Sequence, residues 1–577
     1  MGEVTREETY RPAAGQIAAL PAGVREVAEA RLATAEGRSR RHLVRTGNFH
    51  LTRTHFQWVS DLEVAGDARP PWAVVVERLE WGVFYGTPQG LARIEPMTSG
   101  ETVDDLLERL EPEARSAGAT LRIVVRGADG SPTLLPAEAG PPAGDILGVA
   151  LWYAGPRAAW DRFRTLHPAV RERWHRRRRL EKDDIGRVNA RQESARLAAR
   201  AAELRVEAAV ARSGPGSEAA ARARTAAAAA AVRAETVRAE EAQRFSLLRR
   251  RIAAIDADNA RYQLVMRTAG EGEQPPRTVF LPLDEIVRAY PANRLGAAGR
   301  LRVYLSRWAE FLTDDPREAN SEGGVFPAIF GTVVMTLAMS ILVVPFGVLA
   351  ALYLREYARS GLVVSTVRIA VNNLAGVPSI VFGVFGLGFF CYVIGASIDQ
   401  LLFVARLPDP TFGKGGLLWA SLTLALLTLP VVIVSTEEAL AAVPNSMREG
   451  SLACGASKWQ TIRRIVLPRA APGIITGMIL AVARGAGEVA PLMLVGAVKL
   501  APRLPVDATY PFLHPQRSFM HLGFHIFDVG FQSQNSEAAR PMVFTTTLLL
   551  LAIVTVLNLA AIWLRSRLRK RFFVAGF

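Results

Sequence analysis

Two charged side chains stand alone in an apolar stretch near the C-terminus. Residues 470–498 carry no charge apart from Arg484 and Glu488, and a spacing of four places both side chains on one face of a helix. A guanidinium binds an oxyanion through charge-assisted, often bidentate hydrogen bonds, and a carboxylate beside it either holds the arginine or competes for it. Because ionisable residues at membrane depth usually serve a function, we expect both to line a substrate pathway. The alternative is a self-neutralising pair that only joins helices.

A second set of residues predicts a bend between two helices at 449–468. Gly455 can adopt the positive φ that ends a helix, and Ser457 followed by Gln460 is the pattern of a capping box that begins the next one. Pro468 is expected to end this second helix before the chain enters the bilayer. A rigid, capped bend between two apolar segments is suited to binding another protein.

The elements around these residues follow from an uneven composition. The first 323 residues hold 49 Lys+Arg and 44 Asp+Glu, whereas the last 254 hold 20 and 10. Five charge-poor segments in the second part are long enough to cross a bilayer, which takes about 20 apolar residues. These segments are residues 325–354, 369–398, 415–436, 470–498 and 541–564. A purely soluble enzyme is excluded, and two cysteines, Cys391 and Cys454, exclude a disulfide scaffold and a cysteine-based metal site.

The loops between the segments predict the orientation. The turn 355–368, the loop 437–469 and the C-terminal tail together carry 13 Lys+Arg, whereas the loops 399–414 and 499–540 carry 6. Cytoplasmic loops are enriched in Lys and Arg, so we expect 437–469 and the C-terminus to be cytoplasmic and the N-terminal part to be periplasmic. Such an outer domain needs a signal or an earlier span. The first 60 residues, which include the N-terminal segment 1–40, show neither. Either a first membrane helix is missing, which is what we expect, or the predicted orientation is wrong.

The N-terminal part is predicted to be an α+β domain with a helical insertion. Residues 41–157 and 262–323 contain short runs rich in Val, Thr, Phe and Trp, which predict strands. Residues 158–261 predict two Ala/Arg/Glu-rich helices that form a hairpin around the break at 213–217. Six arginines within 171–179 resemble a nucleic-acid-binding run, but no such fold surrounds them. A solvated helix face is the preferred interpretation, with no nucleic-acid partner.

The bend at 449–468 resembles the EAA loop of ABC importer permeases. Glu449, Gly455 six positions on and Ile465-Val-Leu-Pro after nine more match that loop, with Gly-Ser in place of the usual two alanines. In that family the loop docks in a groove of the cytoplasmic ATPase and transmits its closure. The resemblance implies the following ATPase-coupling residues: Glu449, Gly450, Ser451, Gly455, Ser457, Lys458, Ile465, Leu467 and Pro468.

Further motifs resemble the PstA family of phosphate-importer permeases, in its long form. They are residues 372–383, 484–496 and 524–532. The resemblance implies an all-α polytopic membrane bundle of the type I ABC importer (MetI-like) fold, in which Arg484 and Glu488 are important for transport. Helix packing and gating are expected at Asn372, Asn373, Pro378 and Gly383. Long forms start with a membrane helix, and this chain departs from them there.

The same resemblance implies partners and a location. The partners are a second homologous permease, a cytoplasmic ABC ATPase dimer and a periplasmic phosphate-binding protein, around a multi-pass chain in the bacterial inner membrane. No cofactor of its own is expected, because ATP is bound by the partner. The sequence has no Gly-x4-Gly-Lys-Ser/Thr motif, so the chain is not expected to be an enzyme that hydrolyses ATP.

Other functions stay open on the residues alone. A permease for another oxyanion, sulfate or molybdate, would use the same arginine. A membrane-anchored sensor would explain the helical hairpin but not the bend at 449–468. His521 and His525, with His514 and Asp528 nearby, are similar to a metal site, but no third ligand has the usual spacing and no metal is expected.

Overall fold

The computed structural model divides the chain into two compact units, Met1–Ser306 and Arg307–Phe577. It describes residues 3–18, 20, 22–34, 37–48, 51, 55–62, 69–98, 100–127, 130–137, 145–268, 276–359, 361–507, 510–533 and 536–574. Parts of two predicted segments lie outside these residues: the N-terminal segment 1–40 and the α+β domain of residues 41–157 and 262–323.

The N-terminal unit contains eleven strands among its described residues. They are β1 Glu3–Tyr10, β2 Ser39–Arg45, β3 Phe56–Ser60, β4 Val74–Arg78, β5 Val83–Pro96, β6 Thr120–Arg126, β7 Pro132–Pro136, β8 Ile146–Ala154, β9 Tyr262–Arg267, β10 Thr278–Pro282 and β11 Ile286–Pro291. The first three form a small antiparallel sheet of their own. The others form one antiparallel sheet in the order β10-β9-β5-β8-β6-β7, with β4 paired to β5 and to β11.

One face of the large sheet is covered by helices. Val103–Ala117 begins at a capping box between Thr102 and Asp105 and turns Leu106 and Leu110 onto the sheet. The start of Pro156–Arg179 packs beside it through Phe163. Shorter helices among the described residues of this unit include Ala14–Ala18 and Ala22–Thr34, and Ala297–Thr313 continues past its last residue, Ser306. Helix Val103–Ala117 is absent from our sequence-based prediction, although its capping box is visible in the sequence.

The inserted helices form the predicted hairpin. Pro156–Arg179 continues through a π-helical turn, Leu180–Asp184, into Ile185–Ser213, and the chain returns as Glu218–Ala260. Between them Gly214 takes a φ of 87°, and the Ser217 side chain caps the returning helix. Ion pairs join the two arms, Arg177 to Asp256 at 2.6 Å and Arg191 to Glu241 at 3.2 Å. The break that we predicted at 213–217 is confirmed.

The second unit is a helical bundle. Five helices among its described residues are long and apolar enough to cross a membrane, which we number spans 1 to 5. They are Phe326–Tyr357, Ser379–Leu402, Leu417–Ala441, Lys458–Gly487 and Glu537–Arg567. Shorter helices are Leu362–Leu374, Asn445–Ala453, Ala490–Val495 and Leu522–Phe531. Span 3 is the most buried, and spans 1 and 4 pack against it.

The bundle has two ends that differ in construction. The loop end carries residues 437–469, which join span 3 to span 4. The far end is opposite, where span 1 begins at Phe326 and span 4 stops at Gly487.

The bounds that we predicted for the second span are wrong. The apolar run 369–398 is divided between two helices, because Leu362–Leu374 ends and the next helix begins only at Ser379. Pro378 stands at the N-cap of that helix with φ −55° and ψ 136°. A proline restricts the residue before it to extended conformations, so the run cannot continue as one helix through this position.

The expectation that Pro468 ends a helix is also wrong. The helix that begins at Lys458 runs without interruption to Gly487, through a π-helical turn at Ile462–Val466 in which the Leu467 N–H bonds the Ile462 carbonyl. A proline inside a helix lacks an N–H, and its ring crowds the carbonyl four residues earlier. The wider π turn accommodates both effects.

Candidate transport pathway and coupling loop

Span 4 ends at the pair of charges that the sequence singles out. The helix stops at Gly487, Glu488 is extended (φ −75°, ψ 135°), and a short helix resumes at Ala490. Pro491 explains the break, since its ring would clash with the Gly487 carbonyl in a continuous helix. The prediction of a single helix over 470–498 is therefore wrong. Glu488 lies just beyond the helix that carries Arg484.

The two charges nevertheless remain together. Arg484 Nε lies 3.7 Å from Glu488 Oε1, with 37% and 20% of the side chains exposed. This distance exceeds a hydrogen bond, and no hydrogen bond from the Arg484 guanidinium occurs among the described residues. A cation that is loosely paired and accessible can bind an anion without first breaking a strong bond.

Small residues allow span 4 to pack closely against its neighbours near this pair. A Cβ at Gly485 would lie 2.5 Å from Met339 Sδ of span 1, and one at Gly477 would lie 1.8 Å from Ser435 Oγ of span 3. Helices in membranes approach closely where glycine stands at the interface. Span 4 is therefore held tightly against spans 1 and 3 next to Arg484.

The predicted bend at the loop end has the expected shape. Asn445–Ala453 ends before Gly455, whose φ is 80°. Ser457 and Gln460 form a capping box, in which Ser457 Oγ accepts from the Gln460 N–H at 3.3 Å and Gln460 Oε1 accepts from the Ser457 N–H at 2.9 Å. A hydrogen bond of 2.9 Å between Ser451 and Thr461 closes the bend. These predictions of a glycine-ended helix and a capped restart are confirmed.

The bend presents side chains to its surroundings and is anchored on one side. Glu449, Gly450 and Lys458 are exposed, as is Trp459, while Ile465, Leu467 and Pro468 are partly buried. The Arg448 guanidinium pairs with Glu356 at the end of span 1 at 3.0 Å, in a partly buried position. Exposed side chains on a fixed support are what a docking surface requires.

The residues predicted to pack or gate lie in different places. Gly383 meets the short helix after the break, since a Cβ there would lie 2.7 Å from the Pro491 Cα. Asn372 and Asn373 are exposed on Leu362–Leu374, and their side chains make no hydrogen bond to a described residue. Close packing is thus found at Gly383 but not at the two asparagines.

A polar cluster at the far end was missed by the sequence-based reasoning. Asn320 Nδ2 donates to the Lys499 carbonyl oxygen at 3.1 Å and to Asp528 Oδ2 at 3.3 Å. Lys499 Nζ lies 3.1 Å from Asp528 Oδ1. Asn320 and Asp528 are buried, whereas Lys499 is half exposed. We call these three residues the far-end cluster; a lone carboxylate in an otherwise apolar helix was the available signal.

Two buried histidines lie beside this cluster. Burial lowers the pKa of His521 to about 3, and burial also lowers that of His525 to about 4, against a smaller opposing effect of Asp528. His521 Nδ1 accepts from the Gly523 N–H at 3.1 Å and so caps helix Leu522–Phe531. Among the described residues no three His, Cys, Asp or Glu side chains are grouped as metal ligands.

Comparison with known proteins places the second unit in a transport family. The model for "Binding-protein-dependent transport system inner membrane component" matches residues 343–572. The chain is 44% identical over 176 residues to the phosphate transport system permease protein PstA of Mycobacterium leprae, a match that covers 30% of this chain and 52% of that protein. It therefore spans about half the length of that relative.

Two further similarities concern the permease unit. The chain is 30% identical over 267 residues to the probable ABC transporter permease protein YqgI of Bacillus subtilis, which covers 45% of this chain and 84% of that protein. A solved inward-facing MetNI methionine ABC transporter covers 42% of this chain and 94% of the matched chain, with 20% identity and a TM-score of 0.32. The chain therefore belongs to the family of binding-protein-dependent transport inner membrane components, as a multi-pass permease that resembles the PstA type.

Proposed function

We propose that the chain is the permease subunit of an ATP-driven importer of inorganic phosphate and forms half of its transmembrane pathway. The observation that carries this proposal is the accessible, loosely paired Arg484 at the helix break that ends span 4. Phosphate is the favoured substrate because relatives that are 44% and 41% identical to this chain are named phosphate transport system permease proteins.

Arg484 and Glu488 have distinct roles in this mechanism. The guanidinium offers two or more N–H donors to a phosphate oxyanion, and such charge-assisted bonds are stronger than those between neutral groups. Glu488 holds the arginine between transport events at 3.7 Å, and an arriving anion competes with it. The pair therefore binds phosphate without leaving a bare cation in the membrane when the pathway is empty.

The energy for transport comes from partner subunits. The bend at 449–468 docks with a cytoplasmic ABC ATPase, which binds and hydrolyses the ATP, so the chain itself is non-catalytic and carries no cofactor. A second homologous permease completes the pathway, and a periplasmic phosphate-binding protein delivers the substrate. The two conformations of the permease need only be close in free energy for these partners to shift the balance between them.

The proposed location is the bacterial inner membrane. The excess of Lys and Arg on one side supports a cytoplasmic loop end and C-terminus, with the far end and the N-terminal unit periplasmic. The exposed Lys458 and Trp459 then face the ATPase.

The test is phosphate uptake by cells that lack the chain and are complemented with variants. Arg484→Gln removes the charge, and we expect uptake to fall about 10- to 100-fold, the effect of losing a hydrogen bond to a charged group. Arg540→Gln is the matched control, because Arg540 also pairs with a nearby carboxylate, Glu537, at 3.1 Å but is exposed at the beginning of span 5 instead of lying at the helix break. Immunoblots of the membrane fraction check that each variant is present in normal amounts.

Each outcome decides between specific alternatives. Normal uptake by Arg484→Gln removes this residue from the mechanism. Loss of sulfate uptake instead of phosphate uptake in the deletion strain identifies a permease for another oxyanion. If neither uptake changes and the chain co-purifies with a kinase but without an ATPase, it is a membrane-anchored sensor.

A further inference from the structure

The far-end cluster joins three segments that are remote in sequence. Asn320 precedes span 1, Lys499 follows the short helix Ala490–Val495, and Asp528 lies on helix Leu522–Phe531 ahead of span 5. Their contacts bridge 179 and 208 positions of the chain. Any movement that separates the beginnings of spans 1 and 5 must break them.

The loop that presents Asn320 has a strained backbone. Glu318, Ala319 and Asn320 have φ values of 42°, 50° and 71°, and left-handed conformations are unfavourable for residues with a Cβ. Such conformations persist only where the surroundings impose them, and they are concentrated at functional and switching segments. Here a two-residue ladder, Pro316–Arg317 with Glu322–Gly323, closes the loop, and the bonds of Asn320 fix its tip.

The cluster is placed next to the charged pair of span 4. The helix that carries Asp528 begins against the residue after Glu488, because a Cβ at Gly523 would lie 2.8 Å from Val489. The Leu522 N–H of the same helix donates to Thr332 Oγ1 of span 1 at 2.9 Å. Helix Leu522–Phe531 therefore connects span 1 to the helix break, on the far-end side of Arg484.

We propose that the far-end cluster is a latch that holds the far end of the pathway closed, and that the Lys499–Asp528 pair separates when this end opens. This inference rests on the proposed transport function and adds the residues that control access to it. The latch residues act by positioning the helices and do not contact the substrate.

The unequal burial of the two charges gives the latch two stable states. A buried carboxylate that loses its cation is strongly unfavourable in a dry site, so Asp528 stays paired while the far end is closed. Lys499 already has 49% of its side chain exposed, so water that enters beside it hydrates both charges as they separate. The closed, paired state and the open, hydrated state are favoured over any state between them.

Accessibility of a cysteine at Val489 tests the latch. The chain carries Val489→Cys in a background of Cys391→Ala and Cys454→Ala, in right-side-out membrane vesicles, and a membrane-impermeant maleimide is added outside. Lys499→Gln changes a half-exposed side chain and should not prevent folding. We expect it to speed labelling about tenfold by shifting the population towards the open state.

Two further variants make the result specific. Asn320→Ala removes both side-chain bonds and tolerates the positive φ of the closed loop less well than asparagine does, so labelling should again accelerate. Lys414→Gln is the matched control, since Lys414 is exposed, belongs to the same end of the bundle and makes no ion pair with a described residue. Its labelling rate should equal that of the parent.

The latch is refuted if Lys499→Gln labels at the parental rate, or if Lys414→Gln accelerates labelling equally. The assay uses no phosphate, so its result is separable from the uptake experiment. Faster labelling in a chain that does not support phosphate uptake leaves the latch in place and refutes only the substrate.

Discussion

The bend at the loop end and the far-end cluster are held together by contacts of very different range. The bonds that shape the bend join residues no more than ten positions apart, such as Ser451 to Thr461 and Ser457 to Gln460. In the far-end cluster the two hydrogen bonds of Asn320 cross 179 and 208 positions, and the Lys499–Asp528 pair joins two separate elements. A locally bonded bend can move as one piece while the spans tilt, whereas a cluster built from distant segments must break when those segments part. This difference supports the proposed roles, in which the loop end transmits movement and the far end closes the pathway.

The largest effect is expected from low pH, which should destabilise the far end and leave the bend unaffected. Neutral His521 and His525 at the far end have pKa values of about 3 and about 4, below the 6.5 of an accessible histidine. Between those values and 6.5 the unfolded chain binds more protons than the folded one, so the free energy of unfolding falls as the pH is lowered. We expect a loss of about 3 kcal/mol per histidine by pH 4, measured by denaturant unfolding in micelles.

The variant His525→Leu identifies the source of this pH dependence. It removes one titrating group from the far end and should flatten the curve between pH 6.5 and pH 4. An unchanged slope in this variant, or constant stability of the parent over this range, contradicts the role of far-end burial.

Backbone strain introduced at the bend should reduce phosphate uptake without opening the far end. Gly455 has a φ of 80° and open space around a potential Cβ, so Gly455→Val adds only backbone strain of about 1–2 kcal/mol. If the bend must keep its shape to dock, phosphate uptake should fall by a factor of about 5–30. Labelling at Val489→Cys should not change.

Gly214→Val is the matched control for this experiment. Gly214 also has a positive φ, 87°, and nothing within 4 Å of a potential Cβ, but it lies at the tip of the helical hairpin. We expect normal uptake from this variant. Equal loss of uptake in both variants would contradict a specific role of the bend in docking.

The smallest effect is expected from the cap of the bend. Ser457→Ala removes the side-chain acceptor for the Gln460 N–H, which costs about 1 kcal/mol. Hydrogen exchange of the amides in Lys458–Thr461 should accelerate about fivefold, confined to that turn. Ser446 is an exposed serine on the preceding helix, and its side chain makes no hydrogen bond to a described residue, so Ser446→Ala should leave exchange unchanged. Acceleration that spreads to the far end contradicts the local character of the bend.

The range of the contacts also explains what the sequence could predict. Gly455, Ser457 and Gln460 act on neighbours a few positions away, so their pattern sufficed to place a helix end and a restart. The hairpin break at 213–217 followed in the same way from its two glycines and a proline. Long charge-free runs likewise indicated membrane spans, because the bilayer imposes a length that can be read from composition.

The sequence-based predictions were wrong or incomplete where the structure depends on distant contacts or on competing local effects. Pro378 divided an apolar run that hydrophobicity alone shows as continuous, and Pro491 broke the helix after Gly487. At Pro468 the helix continues through a π turn instead of ending. The presence of a proline does not determine which of these two outcomes occurs. Asn320 and Lys499 gave no signal because their partner, Asp528, is brought to them only by the folded bundle.

The continuity of span 4 through the π turn makes it a lever. Its 30 residues from Lys458 to Gly487 extend about 45 Å, from the surface of the bend to the residue before Glu488. A rotation of about 5° at the docking surface therefore shifts the opposite tip by about 4 Å. A shift of this size is large enough to separate Val489 from Gly523. A small movement of the proposed ATPase partner would therefore be enlarged into an opening of the far end, on the other side of the membrane.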